Sequence, residues 1–67
     1  MTLAEQQEFI VSALPNVGLN LAKELLEHFK SVKNIVNASE QQLKLVEGVG
    51  EKKAKSIKDA VEKEYEK

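Results

Sequence analysis

Apolar residues return at helical spacing from Leu3 onward, with Leu3, Ile10 and Leu14 forming a stripe flanked by Phe9 and Ala13. Thr2 and Glu5 stand at capping-box spacing before it, and Leu14-Pro15 ends it, because proline cannot continue a helix. Asn16-Val17-Gly18 predicts a tight turn, since Asn and Gly tolerate positive φ. A second helix follows from about Leu19 to Phe29, with Leu21, Ala22, Leu25, Leu26 and Phe29 inward. Ser31 and Asn37 bracket a short helical piece, Val32 to Val36. Ser39 opens a helix of about two turns, in which Gln42 completes a second capping box and Leu43, Leu45 and Val46 are the buried positions. Gly48-Val49-Gly50 is the next tight turn. The last helix runs from about Glu51 to near the C-terminus, with Ala54, Ile57, Val61 and Tyr65 at helical spacing; Tyr65, near a fraying end, either packs back on the first helix or stays exposed. No alternating stretch of strand length occurs, so the pattern predicts a compact, all-α, five-helix fold.

These elements repeat. At an offset of 32 residues, the segment Leu14 to Lys23 lies over Val46 to Lys55, so that Val17, Gly18, Ala22 and Lys23 coincide with Val49, Gly50, Ala54 and Lys55, and Leu25 falls on Ile57. The matches coincide with the same order of helix, tight turn and helix. Residues 1–67 therefore read as one domain with a first unit at 3–29, a connector helix at 31–37 and a second unit at 39–66.

Composition narrows the chemistry. A 67-residue domain leaves little room for a deep catalytic pocket, since chains this small bury only about 60% of their unfolded surface. The chain has no Cys, which excludes disulfides and thiolate metal sites and sets the expectation of a reducing, cytoplasmic compartment, nuclear if the source is eukaryotic. No apolar run approaches membrane-spanning length, the first residues do not read as a signal peptide, and no membrane partner is expected. His28 stands alone and Asp59 is the single Asp, so neither a metal site nor a catalytic constellation is expected.

The net charge of −1 matters less than its distribution. Lys44 to Lys58 carries five lysines against Glu47 and Glu51, whereas the first thirteen residues carry only Glu5 and Glu8. The absence of Arg removes bidentate guanine recognition and argues against reading of base sequence. Lys58 and the lysines beyond it read as a solvated face with partners at helical spacing, such as Lys55/Asp59 and Lys58/Glu62. Phe9 and Phe29 read as core.

Val46-Glu47-Gly48-Val49-Gly50, followed by Lys52, Lys53 and Ala54, resembles the helix-hairpin-helix family, whose hairpin reads apolar, any residue, Gly, apolar, Gly. Leu14-Pro15-Asn16-Val17-Gly18 with Ala22 and Lys23 departs from it by placing Asn16 at the first glycine. With the linker Phe29 to Ser39, the whole chain resembles the paired units at the C-terminus of the archaeal Hef and XPF nucleases and of UvrC. The resemblance implies a non-catalytic, sequence-independent DNA-binding module of a larger repair or replication nuclease or helicase. Backbone contacts across a minor groove and a preference for branched or forked DNA belong to that expectation. It also admits a monovalent cation at a hairpin, with no other cofactor.

The physical basis of the motif is independent of the family. Amides exposed at the start of a helix, backed by the positive end of its dipole, suit a phosphate oxygen. The second unit would supply Gly48, Val49 and Gly50, with Lys52, Lys53 and Lys55 adding charge; the first would supply Asn16, Val17, Gly18 and Asn20, with Lys23 as its close cation. Few phosphates would be engaged, so DNA binding is expected to be weak and salt-dependent. On this reading a β-branched residue at Gly50 would distort the turn. The alternative is a protein-interaction or dimerisation module, sterile-alpha-motif-like or of the XPF type, pairing with itself or another domain through Leu3, Leu19 and Leu21.

Overall fold

The computed structural model describes all residues 1–67 and is helical throughout: α1 (Leu3–Ser12), α2 (Gly18–Phe29), α3 (Val32–Asn37), α4 (Glu40–Leu43) and α5 (Glu51–Glu62). Three of these helices begin on side-chain caps. Thr2 and Glu5 close a capping box on α1, Ser31 accepts from the Asn34 amide at the start of α3, and Ser39 with Gln42 closes a second box on α4. At the end of α2, Lys30 turns left-handed at φ 78°, and the Asn34 side chain donates to the Phe29 carbonyl at 2.8 Å. Those two contacts satisfy carbonyls that the helix end leaves open.

The core follows the 32-residue repeat. Val11 and Leu43, Val17 and Val49, Ala22 and Ala54, and Leu25 and Ile57 are corresponding pairs, and all eight are buried. Ile35 and Ala38 of the connector region complete the centre, and Leu14, Leu21, Leu26, Phe29 and Val32 pack around it. The backbone repeats as well: Val17 N–H donates to Leu14 O at 3.1 Å and Val49 N–H to Val46 O at 3.0 Å.

Several sequence-based expectations fail at the periphery. The stripe assigned to α1 is exposed: Leu3, Phe9 and Ile10 face solvent, and the residue α1 buries is Val11. Leu45, expected inside, is 73% exposed, because α4 ends at Leu43 and the turn after it swings the side chain outward. Of the two placements open to Tyr65, the structure takes the exposed one, beyond the end of α5 at Glu62. Lys58, assigned to a solvated face, is buried; its Nζ donates to Val36 O at 3.2 Å and pairs with Glu62 Oε2 at 3.0 Å. A buried ammonium needs such partners, and the bond to Val36 O ties α5 to the connector helix. Its counterpart in the first unit is Leu26, so an apolar contact in one half is replaced by an ionic one in the other.

Candidate functional site

The two hairpins lead into α2 and α5, and these are the two helices whose first turns have no side-chain cap. In the second hairpin, Gly48 takes φ +95°, which returns the chain sharply after Val46. Gly50 is extended, at φ −90° and ψ −172°, and serves as the N-cap of α5. The first amide of α5 to reach a backbone acceptor is Ala54, which donates to Gly50 O at 3.0 Å. The amides of Gly50 to Lys53 therefore stand at the surface without a protein acceptor, at the positive end of a 12-residue helix. Lys52 and Lys55 are exposed beside them and Lys53 is half-buried. Lys55 also pairs with Asp59 at 3.4 Å across one helical turn, an exposed ion pair of small value that leaves its ammonium free to turn elsewhere.

The first hairpin is built differently on the same plan. Asn16 stands where Gly48 stands and adopts the same left-handed backbone, at φ 61°. Asn is the non-glycine residue best suited to that region, so its substitution for the motif glycine keeps the turn. Gly18 departs from its counterpart: its φ is +70°, and α2 starts directly on it behind Val17, without an extended cap. Asn16, Gly18, Asn20 and Lys23 are exposed, as is Leu19, which replaces the charge of Glu51 with an apolar surface. The hairpins meet through Leu21, whose Cδ1 lies 3.4 Å from the place a Cβ on Gly48 would occupy.

Val17 and Val49 leave the set of amide donors expected from sequence. Their N–H groups are used inside the turns and their side chains plug the core. Gly50 has open space around it and a backbone that other residues adopt, so a side chain there does not distort the turn; Gly48 and Gly18 hold the conformations that need glycine. The repeat itself, aligned one residue at a time, carried the signal for Val11 as the partner of Leu43 and for Lys58 as the partner of Leu26.

No group of three or more His, Cys, Asp or Glu side chains is placed to hold a metal ion, and no helix is long and apolar enough to cross a membrane. Among the titratable groups, Glu5 is held below the usual carboxylate range, first by the backbone and then by the side-chain hydrogen bond of Thr2.

Residues 9–67 match the family model described as the helix-hairpin-helix motif. The chain belongs to the helix-hairpin-helix family. It is 53% identical over 66 residues to a protein of Methanocaldococcus jannaschii named as an ATP-dependent RNA helicase, covering 98% of this chain and 8% of that protein. It is 37% identical over 54 residues to the DNA integrity scanning protein DisA of Carboxydothermus hydrogenoformans, covering 81% of this chain and 15% of the relative. Among solved structures, XPF from Aeropyrum pernix in complex with DNA superposes with a TM-score of 0.90 at 34% identity, covering 97% of this chain and 32% of that one. The helix-hairpin-helix chain thus spans a small part of the length of each of these relatives, and the likeness to an archaeal nuclease of the XPF type extends over nearly all of it.

Proposed function

We propose that the chain is a non-catalytic DNA-binding module that grips the phosphate backbone without reading base sequence, mainly through its second hairpin. The observation that carries this reading is the uncapped start of α5, where open amides from Gly50 to Lys53 sit beside Lys52, Lys53 and Lys55. The other helices close their first turns with Thr or Ser, apart from α2, which follows the other hairpin. An open helix start beside lysines accepts a phosphate oxygen by hydrogen bonds and charge together. The DNA-bound state of the similar XPF chain and the DNA-related names of other relatives support the same ligand. The parent activity would be a helicase or nuclease carried elsewhere, with forked or branched DNA as the natural target. Titration of isotope-labelled protein with a short forked duplex tests this: amide shifts should centre on Gly48 to Lys55, extend more weakly to Asn16 to Lys23, and fade as salt rises. Their absence at low salt would overturn it.

A second reading, pairing with another protein domain or a second copy, is favoured by one observation. Leu3 and Ile10 lie two turns apart on α1, and with Phe9 they leave an apolar surface in solvent. Sedimentation over a range of concentrations tests it, and a monomer throughout counts against self-pairing.

A further inference from the structure

From Leu14 to Ala22 the first hairpin carries no charged side chain, whereas the corresponding stretch of the second, Val46 to Ala54, carries Glu47, Glu51, Lys52 and Lys53. The turn itself is intact, since the left-handed residue, the buried valine and the uncapped helix start are all kept. What this hairpin shows to solvent is Asn16, Leu19 and Asn20. Leu19 directly follows Gly18 at the start of α2 and is 52% exposed. Asn16 and Asn20 keep their side-chain amides free, unlike Asn34 and Asn37, whose Nδ2 atoms donate to Phe29 O and Lys33 O. We infer that the first hairpin enters the minor groove of duplex DNA and reaches its floor, with Leu19 as an apolar wedge and the two asparagines donating to base edges, while the second hairpin holds the phosphates. The inference rests on the DNA-binding reading above.

The two hairpins form one surface. Leu21 of the first reaches the turn of the second, where its Cδ1 lies 3.4 Å from the place of a Cβ on Gly48, so a duplex seated on the open amides of α5 lies against the first hairpin as well. A phosphate needs cations, and the nearest one on the first hairpin is Lys23, a full turn behind Leu19. The minor groove asks for something else. Its walls are sugar C–H groups, and its floor carries adenine N3 and thymine O2 as acceptors, with the amino group of guanine projecting from each G·C pair. Leucine suits the walls, an asparagine N–H suits the acceptors, and proteins that enter this groove combine apolar wedges with such amides. The guanine amino group obstructs the wedge and meets the asparagine donors with another donor. Base pairs without it are therefore favoured, a bias in composition that leaves the order of bases unread, because A·T and T·A present the same acceptors there.

The test compares a G·C-rich duplex with the same duplex carrying inosine in place of guanine, which removes the amino group from the groove floor and leaves the phosphates and the major-groove edge as they were. Affinity followed by anisotropy should be about fivefold higher for the inosine duplex, and 2,6-diaminopurine in place of adenine in an A·T duplex, which adds the group, should weaken binding by a similar factor. Leu19→Ala, at an exposed position, should abolish both differences and leave the slope of log affinity against log salt unchanged, since no phosphate contact is lost. Lys52→Ala should do the reverse, lowering the slope and keeping both differences. Equal affinities within each pair of duplexes, or differences that survive Leu19→Ala, overturn this inference alone. Failure to bind any of the duplexes overturns the DNA-binding reading and this inference with it. Amide shifts at Leu19 that grow with protein concentration in the absence of DNA would assign the tip of the hairpin to a second copy of the chain and overturn the groove as its place.

Discussion

The two hairpins share a backbone plan and differ in what they present. Both bury a valine, at Val17 and Val49, both bond that valine's amide back into the turn, and both place a left-handed residue before it, Asn16 or Gly48. The second then enters its helix through an extended glycine followed by Glu51 and the lysines at Lys52, Lys53 and Lys55, whereas the first enters through a left-handed glycine followed by Leu19, Asn20 and Leu21. The interior of the repeat has thus been kept while its rim has diverged. Packing constrains buried positions to within a methylene or so, and exposed ones are limited only by what they touch outside.

The sharpest way to break the comparison is at the left-handed positions. Gly48→Val should lower stability by about 2 kcal/mol, because a β-branched residue is strained at that φ and its Cβ arrives in contact with Leu21. Asn16→Val should cost about as much in backbone strain, and thermal or urea unfolding of the two variants measures both. Next in size is the position where the second unit departs from the first, Lys58 against Leu26. Lys58→Ala should cost about 1–2 kcal/mol through the lost hydrogen bond to Val36 and the lost packing of the stem, while Lys63→Ala, fully outside, should leave unfolding unchanged.

At the paired glycines the two hairpins should answer oppositely. Gly18→Ala is expected to destabilise by about 1 kcal/mol, since φ +70° disfavours a Cβ. Gly50→Ala, at an ordinary extended backbone with nothing nearby, should be neutral or stabilising by about 0.5 kcal/mol, yet weaken DNA binding by covering the open amides. If Gly50→Ala leaves DNA affinity untouched, the second hairpin is not the anchor. Lys52→Ala should lower the slope of log affinity against log salt by about one, and Lys23→Ala should lower it by less.

The smallest effect separates the two capping boxes. Glu5 is held below its ordinary range in the folded chain, so its contribution to the start of α1 is present above the usual carboxylate pKa and is lost as pH falls through the depressed value. The box of Ser39 and Gln42 has no titrating partner. Amide exchange should therefore show α1 fraying in acid at Thr2 to Glu5 while the start of α4 holds.

Much of this was legible in the sequence, for identifiable reasons. The caps at Thr2, Ser31 and Ser39, the turns at Asn16 and Gly48 and the inward face of α2 are local features, written in adjacent residues. The inner face of α1 was misread because its apolar residues outnumber its buried ones: Leu3, Phe9 and Ile10 form the richer stripe, and Val11 takes the core place. Lys58 was misread because a lysine's partners on another helix leave no mark in local spacing.

Lys58 also gives the protein a chemical clock. An amine reagent reaches a lysine at a rate set by how often its ammonium loses its proton in contact with water, and the other nine lysines are all more open than this one. A brief acetylation pulse should mark those nine first and leave Lys58 for last. The delay reports how often α5 lifts from the connector helix, and its change on adding DNA would time that opening without any engineered label.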